Sequence, residues 1–434
     1  MTTFALWLVG LGGRSSTLAL TLLNVIVLAR SLGPLGRGQY FVFVSFILVM
    51  SAVADLGVSQ SAVVFSGKGE VPMSTIHRVV LALALTLGAV VALATVLALP
   101  ILGENVLAGI PQAWSLAALG LFPLAVYANF WTGMMIGARL IVEVNAVQLA
   151  MSAVTLAANV ALVVTSGNAT IAVSIYVAVL ALQGLVMYAI AARAGGSDRR
   201  ASNSGKVARE MLAFGTRAYT NALSGLVWAR SGVFVLNALH GAASAGIYSV
   251  AQQIAEKALA PIQALQDVIY NRMSSLPTTL AVALLNRYLR LTIAAVVPTF
   301  ALGIALAPVF LPELFSESFR GAILPLQILF AGSAVQSVPV ILATYFVAHV
   351  RRPGFLSVFA VANTALHLAL LFAFVPSLAE TGAALAMVAT QVTGTSLILS
   401  VYLRMARTDA ASALLLRSGD LDLIRRQALG SRHH

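Results

Sequence analysis

Residues 214–261 read FGTRAYTNALSGLVWARSGVFVLNALHGAASAGIYSVAQQIAEKALAP. Two hydrophobic, helix-length segments are joined by a short turn rich in Gly and Ala, yet the stretch carries Arg217, Arg230, Glu256 and Lys257. An ionised group inside a membrane-spanning helix is costly, so such a residue is a functional candidate by default. The stretch therefore predicts a polar cavity inside a transporter, and the rest of the chain is consistent with that setting.

Of the 434 residues, 60% are hydrophobic and only 9% are charged, and the mean hydropathy is +0.94. A soluble domain has no use for that much apolar surface, so the composition predicts an integral membrane protein of many helices. The net charge of +12 would suggest nucleic acid in a soluble chain. Here the basic residues fall between apolar spans, a pattern that sets topology and predicts no nucleic-acid partner. The absence of cysteine removes disulfides, thiolate metal sites and cysteine nucleophiles. The opening MTTFALWLVG has neither a basic n-region nor a small-residue cleavage site and is expected to be a retained span, while the terminal SRHH reads as tag residue.

Stretches long enough to cross ~30 Å of hydrocarbon fall at roughly 4–29, 39–65, 79–101, 113–136, 143–165, 169–192, 211–239, 244–268, 288–311, 320–347, 355–376 and 381–404. That predicts about twelve transmembrane helices. The even-numbered connections and the C-terminal tail hold nineteen Lys and Arg, whereas the odd ones hold only Arg30, Arg37 and Arg320. Such asymmetry places both termini in the cytoplasm.

The one linker-like stretch, GGSDRRASNSGKVARE at 195–210, follows the sixth span. It divides the chain into a six-helix bundle over 1–195, a cytoplasmic linker over 196–210, a second bundle over 211–405 and a cytoplasmic tail over 406–434. Aligning LARSLGPLGRGQYFV (28–42) with LNALHGAASAGIYSV (236–250) matches Leu28 with Leu236, Gly33 with Gly241, Gly38 with Gly246, Tyr40 with Tyr248 and Val42 with Val250. Both stretches are the turn between the first and second helix of a half, so the repeat is parallel.

The charges inside spans are Arg14, Arg217, Arg230 and Lys257, with Asp55, Glu256 and Asp267. All lie in the first two helices of one half or the other. Helical spacing groups Gln252, Glu256, Gln263 and Asp267 on one stripe, with Gln253 and Lys257 beside it; Ser51, Asp55 and Ser59 on another; Arg14, Thr17 and Thr21 on a third; and Arg217, Asn221 and Ser224 on a fourth. These stripes are expected to meet in a wet cleft between the halves, since facing lipid is costly. Other roles stay open. Lys257 can form a buried ion pair with Asp55 or a neighbouring glutamate, Arg217 can snorkel to the headgroups, and Asp55 and Asp267 can serve helix ends or packing.

ARSLGPLGRGQYFVFVSFILVMSAVADLGVSQSAVVF, together with AGIYSVAQQIAE, LPELFSESFRGAILPLQIL, AHVRRPG and TGAALA, resembles the polysaccharide-biosynthesis flippases, the Wzx-type members of the MOP exporter superfamily. The matching residues are Leu32, Gly33 and Pro34, then Gly38 and Tyr40, then Ala54, Asp55, Leu56 and Gly57. The family often carries an acidic residue in helix seven where this chain has Gly232. The resemblance implies an all-α membrane fold of two six-helix bundles forming a V, helices one, two, seven and eight lining a cationic cavity, and alternating access that carries an isoprenoid-pyrophosphate-linked oligosaccharide outward.

On this reading Arg14, Lys257, Arg217 and Arg230 bind the substrate, and Asp55, Glu256, Asn221, Gln253 and Asp267 are polar or ion-coupling candidates. The protein is expected to be a multi-pass monomer of the bacterial inner membrane, without metal or cofactor. Its partners would be the lipid-linked substrate, membrane lipids and a polysaccharide polymerase. The alternatives are a drug or metabolite cation antiporter of the same superfamily, and a membrane-embedded polymerase or glycosyltransferase. The second would need a larger extramembrane loop than this chain has, and no phosphate-cradling glycine loop signals ATP coupling.

Overall fold

The structure, a computed structural model, describes residues 3–194, 203–273, 276–350, 353–417 and 420; the side chains at 3–15, 194, 217, 218, 267, 271, 272, 348, 349 and 353 lie outside the description. Among the described residues every regular element is helical. Among the described residues nine helices are long and apolar enough to cross a membrane, consistent with the all-α membrane class read from composition.

Three of them are far too long for one crossing: α1 (Thr3–Asp55), α8 (Ser204–Ala258) and α12 (Pro353–Ala406), with 53, 55 and 54 residues. At ~1.5 Å per residue each runs about 80 Å. Each is broken once, at Gly33 (φ 64, ψ −179), Gly241 (φ 82, ψ 173) and Ala379 (φ 46, ψ −125). The first two are the glycines that the repeat aligns, and they share a backbone conformation open mainly to glycine. The two turns are thus the same local structure.

The chain forms two compact units, Met1–Val250 with Leu314–Phe319, and Ala251–Glu313 with Arg320–His434. In the first, α1 packs against α5 (Ile141–Ala158), α2 (Val58–Lys68) and α3 (Met73–Asn105) pack against α4 (Gln112–Gly137), and α4 packs against α7 (Ala169–Ala194). Its interior is aromatic: Phe43, Phe46, Phe122, Tyr127, Phe130 and Trp131 are fully buried. Leu93, Leu97 and Ile101 on α3 are 62%, 74% and 70% exposed, an apolar stripe at one-turn spacing that only lipid covers cheaply.

The sequence places a boundary at the 196–210 linker, whereas the first unit takes in α8 as far as Val250. The reason is local. A Cβ on Gly38 would lie 1.6 Å from the Ala242 carbonyl oxygen, and one on Gly246 would lie 2.0 Å from that of Pro34. Each glycine of the repeat lets its own turn settle against the backbone of the other. Asn237 adds a tie, donating from Nδ2 to the carbonyls of Val106 and Ala108 at 3.0 and 3.1 Å.

In the second unit, α11 (Ile323–Thr344) packs against α12 and α9 (Ala260–Met273). The Tyr402 hydroxyl donates to Asn286 Oδ1 at 2.6 Å, and Tyr345 meets Tyr402 edge-on at 5.1 Å. The C-terminal tail, expected to be a cytoplasmic segment, is tied down at Thr408, Ser412 and Asp420. Asp420, 3% exposed, accepts from Arg290 Nε and Nη2 at 2.6 and 2.7 Å and lies 3.7 Å from Arg287 Nε. The paired arginine holds the Asp420 carboxyl below the ordinary carboxylate range. By sequence, Arg287 and Arg290 are loop cations that set topology; in the structure both lie in α10 (Thr278–Phe315) and receive the tail.

Candidate functional site

The predicted site residues divide between the units. Arg14 lies in α1, Arg217 in α8 and Asp267 in α9, and their side chains are among those outside the description. Arg230 and Asn221 belong to the first unit, and Gln253, Glu256 and Lys257 to the second. Glu256 accepts from Gln252 Nε2 at 2.9 Å, so this step of the helix-eight stripe is a real side-chain contact. Lys257 is half-buried, and no ion pair to a described residue includes it.

Asp55 ends α1 and turns its carboxylate onto the start of α2. Ser59 donates to it twice, from its backbone N–H to Oδ1 at 3.0 Å and from its hydroxyl to Oδ2 at 2.6 Å. A carboxylate so placed satisfies an orphan N–H and favours the helix N-terminus. The same junction meets α8: a Cβ on Gly57 would lie 2.1 Å from the Gly215 carbonyl oxygen, and the Tyr219 hydroxyl donates to the Val53 carbonyl at 3.2 Å. The backbone carrying Arg217 therefore runs beside the chain end carrying Asp55.

Arg230 has its guanidinium carbon 5.5 Å from the centroid of Phe41. On that ring sits a second guanidinium that the sequence reading missed. Arg37, assigned to a connection, lies inside α1 just after its break and is 1% exposed. Its guanidinium carbon is 5.5 Å from Phe41 and 5.7 Å from Tyr40, while its Nε and Nη2 have no hydrogen-bond partner among the described residues. Aromatic faces are worth ~2 kcal/mol or more to a desolvated cation, which leaves a guanidinium short of its hydrogen bonds. A hydropathy window ends its span at position 29 and starts the next at 39, hiding Arg37. The signal that could have found it is GRGQYF, with Tyr and Phe three and four positions after the arginine on one helical face.

The expected stripes on the first two helices do not act alone. Thr17 and Thr21 on α1, with Ser51 further along it, line a cavity of about 410 Å³ in the first unit, with α4, α5 and α7 forming its other walls. Those three helices contribute Asn129, Gln148 and Gln183, none of which the charge map had drawn in. The described geometry thus offers two environments in the first unit: a cationic, aromatic cluster and an uncharged polar cavity. Neither presents a nucleophile with a base.

Comparison with known proteins agrees with the fold. An inward-closed structure of the lipid II flippase MurJ superposes with a TM-score of 0.73 at 12% identity, covering 91% of this chain and 87% of that one. An inward-facing multidrug-resistance MATE transporter of the MOP superfamily gives 0.69 at 17% identity, over 90% and 95% of the two chains. An outward-facing structure of such a transporter gives 0.64 at 15%, over 91% and 93%. No curated protein sequence matches. The family profile described as polysaccharide biosynthesis protein matches residues 5–276. This covers the repeat turn, the Asp55 junction and the Arg37–Phe41–Arg230 cluster, and with the fold it decides the assignment: the chain belongs to the polysaccharide biosynthesis protein family and has the fold of the MOP-superfamily transporters.

Proposed function

We propose that this protein is a flippase that moves an isoprenoid-pyrophosphate-linked oligosaccharide from the cytoplasmic to the outer leaflet of the bacterial cytoplasmic membrane by alternating access. The observation that carries the reading is Arg37, a buried guanidinium with two nitrogens lacking partners among the described residues, beside Arg230 on the same phenyl ring. A pyrophosphate cannot enter hydrocarbon uncompensated, and arginine forks match its oxygens two at a time. In this reading Arg14 and Arg217 extend the cationic path, and Asp55 serves the helix junction. The long helices α1, α8 and α12 each count as two crossings, broken at Gly33, Gly241 and Ala379. The nine candidate spans then become twelve, in two six-helix bundles with both termini cytoplasmic.

The test is complementation of bacterial strains that each lack one lipid-linked glycan flippase, reading surface polysaccharide against accumulated lipid-linked precursor. Restored polysaccharide with cleared precursor is expected from the unaltered chain. Arg37→Gln should abolish it at unchanged membrane abundance, and Arg37→Lys should restore it only in part, since an ammonium lacks the fork. Failure in every strain, with drug efflux from the same cells, would establish the antiporter instead.

A further inference from the structure

The cavity in the first unit is unlike a bundle core. Of its eighteen described lining residues, eleven carry an amide, a hydroxyl or a phenol, and none carries a charge. Amides within membrane-spanning helices are costly unless they hydrogen-bond. Asn129, Gln148 and Gln183 nevertheless line the space and make no hydrogen bond to a described residue. The fourth amide, Asn24, accepts from Asn159 Nδ2 at 2.8 Å, which leaves its own NH₂ for the cavity. Asn159 opens a π-helical turn over Asn159–Val163; insertions of this kind re-aim side chains and recur at functional sites. Two phenol rings, Tyr40 and Tyr176, stand edge-to-face at 6.3 Å in the wall.

We infer that this cavity is a saccharide subsite that holds one or two uncharged sugar rings of the transported glycan. The inference rests on the flippase reading for its biological meaning, though not for the binding itself. Sugar hydroxyls both donate and accept, which suits amides carrying both functions, and aromatic faces receive the less polar face of a ring. The volume of about 410 Å³ falls within the ~300–1,000 Å³ of small-molecule sites. No described lining residue carries a counter-charge, which suits the neutral part of the substrate and leaves the pyrophosphate to the arginines.

The test uses the full-length protein in lipid nanodiscs with lactose, maltose and chitobiose as probes, read by saturation-transfer NMR, and inorganic pyrophosphate as the charged comparison. At least one disaccharide should receive saturation from the protein. Gln148→Leu and Gln183→Leu should each weaken its apparent Kd at least tenfold, and pyrophosphate should not compete. The chain has no cysteine, so Gln183→Cys supplies an independent reading: a bound disaccharide should slow its alkylation by a small maleimide. The proposal is overturned by no transfer to any disaccharide, by equal transfer in the leucine variants, or by competition from pyrophosphate, each of which leaves a merely hydrated cavity. Disaccharide binding without complementation in any strain would retain the subsite and remove the flippase reading; complementation without binding would do the reverse.

Discussion

Placing a single methyl at Gly38 probes how the two repeat turns are held together. In Gly38→Ala the new Cβ would lie 1.6 Å from the Ala242 carbonyl oxygen, 2.5 Å from its carbon and 2.9 Å from the Gly246 nitrogen. A carbon and a carbonyl oxygen rest at ~3.3 Å or more, so the backbones must part by about 1.7 Å. All three neighbours are main-chain atoms, so no side chain can rotate to relieve the clash. Overpacking costs ~1–3 kcal/mol where neighbours can yield, and the upper end is expected here. For a unit of this size ~3 kcal/mol corresponds to a fall of roughly 6–12 °C in apparent Tm. Gly246→Ala meets the Pro34 oxygen at 2.0 Å and should cost somewhat less. One separation relieves both clashes, so the double variant should melt close to Gly38→Ala alone, with a coupling of ~1–3 kcal/mol between the sites. The assay is thermal melting in detergent followed by fluorescence-detected size exclusion. Gly120→Ala, with nothing within 4 Å and ordinary helical backbone, is the control. If Gly38→Ala melts with Gly120→Ala, or if the two turn variants simply add, the reciprocal contact is not what holds the turns together.

Gly33→Ala and Gly241→Ala have open space around the added carbon but positive φ; each should cost ~1–3 kcal/mol and, unlike the close-contact pair, should add in melting. Asn237→Leu removes two donations to the 106–108 carbonyls and should lower stability by ~1–2 kcal/mol, seen as faster amide exchange at 106–109. Asp420→Asn weakens a charged fork, worth ~1.5–3 kcal/mol, and should speed tryptic cleavage after Arg417. The Asp420 carboxyl titrates below its unfolded value of ~3.9, so its contribution is fully present above that value and disappears as pH falls through the folded pKa. Cleavage by a protease active in acid should therefore accelerate below about pH 4 in the unaltered chain and not in Asp420→Asn.

The membrane class and the repeated turn were legible because they rest on local composition and on glycines that recur in register. Gly33 and Gly241 could be paired from the string alone, and their shared backbone follows. Arg230 was legible as a charge in an apolar run, but its neighbour was not: Arg37 stands among Gly and Pro, where a hydropathy window sees a loop. The amides of the cavity were hidden for another reason. Asn129, Gln148 and Gln183 occur singly on three helices, and only packing brings them to one space. The Arg290–Asp420 fork joins positions 130 apart across a change from span to tail, with no periodicity to announce it.

The meeting of the two turns bears on how this gene can change. Gly38 and Gly246 are each confronted by the other's main chain, and a carbonyl oxygen cannot be exchanged by mutation. A lineage that loses either glycine has no partner side chain to shrink in compensation. Suppressor screens starting from Gly38→Ala should therefore return reversions to glycine, and where natural variation occurs, loss of one glycine should accompany loss of the other.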